Sequence, residues 1–124
     1  MNKFQLQTID DIAVVKARLA VATNQDAILL WDELERNSTF EMNKVIIDLS
    51  QCKYLSSAFI GMINRINEKV LDRNGQMKLV FPETIVLESL RKESIKKIVE
   101  SFNSFENAYS SLNGKNGSYK IALG

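Results

Sequence analysis

Residues 45–49 read Val-Ile-Ile-Asp-Leu, an apolar, β-branched run without the polar alternation of a half-exposed strand. Such a run suits a central strand covered on both faces, and that requirement shapes everything around it. On its N-terminal side, Phe4 to Thr8 alternate apolar and polar at period two, as a half-exposed strand should. Asp10-Asp11 reads as a turn, and Ile12 to Leu19 as a second strand closing a hairpin. Thr23 or Asn24 then caps a helix running to about Arg36, with Ala27, Ile28, Trp31 and Leu34 on its inner face. Asn37-Ser38-Thr39 ends it.

On the C-terminal side, a short loop from Ser50 leads into a helix from about Ser57 to Arg73. Phe59, Met62, Ile63, Ile66 and Val70 recur there at helical spacing, opposite Arg65, Asn67, Glu68 and Lys69. Asn74-Gly75 stops this helix, with Gly75 as the left-handed cap, and Met77 to Phe81 forms the next strand. Pro82 suits the first position of a short helix whose inner face is Val86, Leu87 and Leu90. A fifth strand is expected around Ile98-Val99. Asn103 with Glu106, or else Ser104, caps a last helix striped by Phe105, Ala108, Tyr109 and Leu112. The expected fold is thus α/β: a mixed sheet of about five strands with four helices, in the order β-β-α-β-α-β-α-β-α. The domain spans residues 1–113. Residues 114–124 form a Gly/Asn-rich tail in which Tyr119 to Leu123 is either a docked strand or frayed.

Composition narrows function by exclusion. Sixteen Lys+Arg against fifteen Asp+Glu leave a net charge of +1, too little field to gather nucleic acid or an anionic membrane. Histidine is absent and Cys52 is the single cysteine. The commonest general base and transition-metal ligand is therefore missing, one cysteine cannot build a structural zinc site within the chain, and no intrachain disulfide can form. No stretch approaches the ~20 apolar residues needed to span a bilayer, and the first residues lack a signal peptide's apolar core. A cytoplasmic, non-enzymatic protein without metal or cofactor is the expectation. Asp48, at the end of the central strand, is expected to fix the following loop through backbone N–H groups. Cys52 is expected to be a small, partly buried apolar residue.

One segment goes further. Val45-Ile-Ile-Asp-Leu-Ser-Gln-Cys-Lys-Tyr-Leu-Ser-Ser-Ala-Phe-Ile-Gly-Met-Ile resembles the heart of the STAS domain family, the fold of the bacterial anti-sigma-factor antagonists. Asp48-Leu49-Ser50 matches the family's strand ending, Tyr54 its loop aromatic, Ser57 its phosphorylatable serine and Ile60-Gly61 its Leu-Gly. Asn74-Gly75 before Met77 and Ala108 in the closing helix extend the likeness over about Phe4 to Leu112. Three positions depart from the family pattern: Ser56 replaces an acidic residue, Ala58 a Ser/Thr, and Phe59 a glycine.

The resemblance implies a regulator that docks onto a protein partner, a serine kinase doubling as an anti-sigma factor, and is reset by a phosphatase. Phosphorylation would fall on Ser57, with Ser56 as the second candidate. The implied docking face comprises Ser50, Lys53, Tyr54, Ser56 and Ser57, with Asn64, Arg65 and Glu68 on the next helix. A phosphate at Ser57 would be tolerated by the positive end of that helix and would add about −1.5 to −2 charge. Two other readings stand beside this one. Both serines are good helix caps whether or not they are modified, and the same fold could serve as an unmodified scaffold in a larger assembly such as a transport complex.

Overall fold

A computed structural model of the protein describes residues 2–88 and 92–113. The N-terminal hairpin pairs β1 (Phe4–Ile9) with β2 (Ile12–Ala17), Ile9 opposite Ile12. Its turn holds Asp10 in the left-handed region, φ 57°, where a short polar side chain is better tolerated than most. The Asp10 carboxylate accepts a hydrogen bond from the Tyr109 hydroxyl, tying the turn to the last helix of the domain.

After β3 (Val21–Ala22) comes α1 (Asn24–Arg36), started by a reciprocal cap. The Asp26 N–H donates to Thr23 Oγ1 at 3.3 Å, and the Thr23 N–H donates to Asp26 Oδ2 at 2.9 Å. Lys3 adds an ion pair to Asp26 at 2.8 Å. A 3-10 turn at Thr39–Glu41 leads into β4 (Lys44–Asp48), then β5 (Tyr54–Leu55) and α2 (Ser57–Asp72). The remaining elements are β6 (Gln76–Val80), β7 (Val86–Leu87), α3 (Lys92–Ile98), β8 (Glu100–Phe102) and α4 (Phe105–Asn113).

The strands divide into two sheets. Five form the main sheet in the order β1-β2-β4-β6-β8, antiparallel only between β1 and β2. The three two-residue strands form a small parallel sheet, β3-β5-β7. Strand alternation sorts the core of the main sheet. Val15, Val45, Ile47 and Leu79 face α1 and α2, where Leu30, Leu34, Phe59, Ile63 and Ile66 meet them. Ile12, Val14, Ile46 and Val80 face the opposite way, against Ala108, Tyr109 and Leu112 of α4. The central strand is covered on both faces, as its composition requires.

The order of the main elements agrees with the expectation, and several details differ. Residues 86–87 are a strand, not a helix: Ile85 N–H closes a turn onto Pro82 O at 3.1 Å, and β7 then pairs with β5. Leu90 lies outside the described residues, as does everything from residue 114. Ile98 ends helix α3, and the strand follows at Glu100–Phe102. In α1 the inward face carries Leu30 with Ala27 and Leu34, while Ile28 is 62% exposed. Asn67 is buried, its Nδ2 donating to Ile98 O at 3.1 Å and so stitching α3 to α2.

The stop after α2 also works differently. Asn74, at φ 62°, takes the left-handed place expected of Gly75. Gly75 is needed for space: a Cβ there would lie 2.8 Å from both Asn43 O and Val70 Cγ1. Ser104 caps α4, its Oγ accepting from the Asn107 N–H at 3.2 Å.

Candidate docking site

The loop from β4 to α2 begins with Asp48, whose Oδ1 accepts the Ser50 N–H at 2.9 Å. That bond, with Cys52 N–H to Leu49 O at 2.9 Å, folds the loop back over the C-terminal end of the main sheet. The loop then runs out as β5, flanked on both sides. Lys53 and Ser56 donate to Ala20 O and Ala22 O at 2.7 and 2.9 Å, while Lys53 O and Leu55 O accept from Val86 and Glu88 at 2.9 and 3.0 Å.

Parallel register then sorts this small sheet into two rows. Ala22, Leu55 and Leu87 point inward and are buried. Val21, Tyr54 and Val86 point outward, with Val21 52% and Val86 55% exposed and Tyr54 half-buried. An apolar row therefore stands at the surface as one continuous strip. An open groove of about 360 Å³ runs beside it, lined by Val21, Thr23, Asn24, Tyr54, Ser56 and Glu88.

The two serines have different tasks. Ser56 is the N-cap of α2: it is buried, and its Oγ accepts the Phe59 N–H at 3.1 Å. Its cap leaves it little exposed, at the wall of the groove beside the docking row. Ser57, the first helical residue, is exposed. Its N–H donates to Glu88 Oε1 at 2.8 Å and its Oγ to the Glu88 carbonyl at 3.3 Å.

The Glu88 carboxylate sits at the positive end of α2. The Ser57 N–H foremost, then the Tyr54 and Ser57 hydroxyls, hold it below the usual glutamate range. The Tyr54 hydroxyl is pushed up correspondingly, by partial desolvation and by the carboxylate it donates to.

Of the other expected docking residues, Ser50 and Lys53 are exposed on the same loop. Arg65 and Glu68 are exposed on α2, and Asn64 is half-buried there. Arg65 also lies 4.9 Å over the Trp31 ring, shared with Lys69 at 4.9 Å, which fixes its direction. The departure at Phe59 leaves this surface untouched. The ring is fully buried and stacks on Phe4, centroids 6.4 Å apart. Cys52 is buried, and burial foremost, with the Asp48 and Asp26 carboxylates, pushes its thiol up to about 12. It stays a packed thiol at neutral pH.

Val21, Val86 and Glu88 are not among the residues expected at the site. Two-residue strands carry no periodicity, and Glu88 meets Ser57 only because β7 pairs with β5.

Among the described residues, no group of three His, Cys, Asp or Glu is placed to hold a metal ion. No described helix is long and apolar enough to cross a membrane.

Residues 3–108 match the family model of the STAS domain, and the chain belongs to that family. An anti-sigma factor antagonist from Mycobacterium paratuberculosis superposes with a TM-score of 0.73 at 16% identity, over 89% of this chain and 92% of the other. The Thermotoga maritima protein TM1081 gives 0.71 at 21% identity, over 89% and 94%. The anti-sigma factor antagonist SpoIIAA, in its unphosphorylated form, gives 0.66 at 11% identity, over 90% and 98%. At these identities the likeness is one of fold. A sequence search of curated proteins finds no match.

Proposed function

We propose that this chain is a docking switch of the anti-sigma-factor antagonist kind, acting in the cytoplasm and leaving catalysis to its partners. The unmodified protein binds a serine kinase that doubles as an anti-sigma factor. Phosphorylation of Ser57 releases it, and a phosphatase resets the switch. The observation that carries this reading is one juxtaposition: the exposed Ser57 hydroxyl lies beside the exposed row Val21, Tyr54 and Val86. A partner covering that row also covers the hydroxyl. A phosphoryl group there adds about −1.5 to −2 charge within the covered area and opposes the contact by desolvation and repulsion.

The expected partner surface is the Ser50–Tyr54 loop, Ser57 and the α2 residues Asn64, Arg65 and Glu68, extended by Val21 and Val86. Affinity capture with the unmodified chain, followed by binding measurements with Ser57→Ala and Ser57→Asp, tests this. The partner should be held by Ser57→Ala and lost by Ser57→Asp, with phosphate mapped to Ser57 after incubation with the captured kinase. Equal affinity of both variants, with no phosphate at Ser57, would abolish the switch. It would favour a second reading, a constitutive scaffold, which one observation supports: Glu88 already occupies the helix end where a phosphate would go.

A further inference from the structure

We propose that Glu88 is the moving part of this switch: it holds the first N–H of α2 while Ser57 is unmodified, and a phosphoryl group on Ser57 evicts it and loosens β7. The inference rests on the reading of Ser57 as a modification site given above.

The geometry is a closed set of contacts across 31 positions of sequence. Ser57 binds Glu88 twice, backbone N–H to carboxylate and hydroxyl to backbone carbonyl. The Tyr54 hydroxyl neighbours the same carboxylate closely enough for each to shift the other's titration. Glu88 is itself placed by its N–H donating to Leu55 O, the final rung between β5 and β7. Ser57 and Glu88 thus stand just past the ends of two paired strands, and what happens to one is felt by the other's backbone.

Phosphoryl transfer alters each contact. Ser57 Oγ forms a bond to the γ-phosphorus of a nucleoside triphosphate held by the kinase. The bond from that phosphorus to the diphosphate leaving group breaks, and the hydroxyl proton passes to a base on the kinase. Oγ then has no hydrogen to donate, so it and the Glu88 carbonyl become two acceptors facing each other. The new phosphoryl oxygens are tethered next to the Ser57 N–H and compete with the Glu88 carboxylate for it. Two anions cannot share one donor at that distance without repulsion, and the phosphate carries the larger charge.

Displacement of Glu88 removes Tyr54's partner and leaves β7 held at that end by a single rung. Val86 belongs to the outward apolar row, so loosening β7 disperses the surface on which a partner would sit. Release then has two causes, added charge and a lost docking row.

The test installs phosphoserine at position 57 of the full chain during translation, by an expanded genetic code, and needs neither kinase nor partner. Amide hydrogen exchange and amide chemical shifts are compared with the unmodified protein. The Glu88 amide, the donor to Leu55 O, should exchange about tenfold faster or more, with the largest shift changes at Tyr54, Ser57 and Val86 to Glu88. Unmodified Glu88→Ala should show the same loosening at the amides of residues 86 and 88, and phosphoserine should add nothing further to it there. Exchange at Glu88 within about twofold of the unmodified protein would overturn the proposal, as would a Glu88→Ala variant in which those two amides are as protected as in the parent. Failure of the switch itself registers elsewhere, as a Ser57 that no captured kinase modifies.

Discussion

The two sheets of this molecule are built on opposite terms. The main sheet has strands of up to six residues, and its central strand is sealed on both faces by α1, α2 and α4. The small sheet has three strands of two residues each, with one row anchored in the core and the other open to solvent. Burial of the first kind supplies stability at roughly 25 cal/mol per Å² of apolar surface. A two-residue strand cannot supply much, so its geometry depends on neighbours such as Glu88 and the α2 cap. The contrast separates the part that must not move from the part that, in the switch proposed above, a single charge rearranges.

The largest expected effect tests that division directly. Ile47→Ala, at a position 1% exposed in β4, should lower unfolding stability by about 2–5 kcal/mol in urea denaturation. Val86→Ala should change it by less than ~0.5 kcal/mol while weakening capture of the partner. If Val86→Ala destabilises as much as Ile47→Ala, the small sheet is part of the structural core and the comparison fails.

Gly75→Ala comes next. Its Cβ would meet the Asn43 carbonyl and the Val70 side chain at 2.8 Å, and the Asn43 carbonyl also accepts the Gln76 N–H that starts β6. With backbone on one side there is little to yield, so a loss of about 1–3 kcal/mol is expected. The partner should still be captured under folding conditions, because the clash lies at the end of the main sheet away from Ser57.

How much of this is visible in the sequence follows the same division. Strands of five or six residues declare themselves by alternation or by β-branched runs, and the hairpin, β4 and β6 are legible for that reason. Ile95, Ile98 and Val99 illustrate the failure mode. Their spacing of three and four is helical, yet the β-branched pair at the end suggests a strand, and α3 claims the first two. Ile28 reads as inward in place of Leu30, although 27, 30 and 34 make the better helical stripe. Of the candidate site, Ser57, Tyr54 and the loop can be reached through the family likeness. Val21, Val86 and Glu88 cannot. Their proximity comes from pairing between short segments far apart in the chain, which no local pattern encodes.

Asp26 sits where the two regions join, just after β3 and in the first turn of α1. Burial raises its carboxyl, but the Lys3 ion pair and the Thr23 backbone and side-chain bonds outweigh that and hold it below the usual aspartate range. A depressed carboxyl contributes stability that is present above its unfolded-state value and lost as pH falls through the folded-state value. The parent should therefore lose, in the acid range below about pH 4, an increment that Asp26→Ala has already lost at neutral pH, about 1 kcal/mol for the cap. Urea midpoints of both proteins, at neutral pH and at about pH 3, check this: the gap between the two should narrow in acid. A gap that stays constant would mean that the side chain acts by packing and not by charge.

Gly61→Ala comes last among the changes that should move stability measurably, and its sign makes it the sharpest probe. Gly61 lies inside α2, exposed, and a Cβ added there would meet nothing within 4 Å, so no local packing requires a glycine. A glycine in a helix interior costs roughly 0.5–1 kcal/mol relative to alanine, and Gly61→Ala should raise the urea midpoint accordingly. The position is one turn beyond Ser57, on the face proposed to be covered by the partner. An added methyl where another backbone comes close should reduce capture even as the free domain becomes more stable. Opposite movement of stability and affinity would mark α2 as a helix whose surface answers to a second molecule. If both rise or capture is unchanged, the covered area ends short of Gly61 and is confined to the small sheet and Ser57.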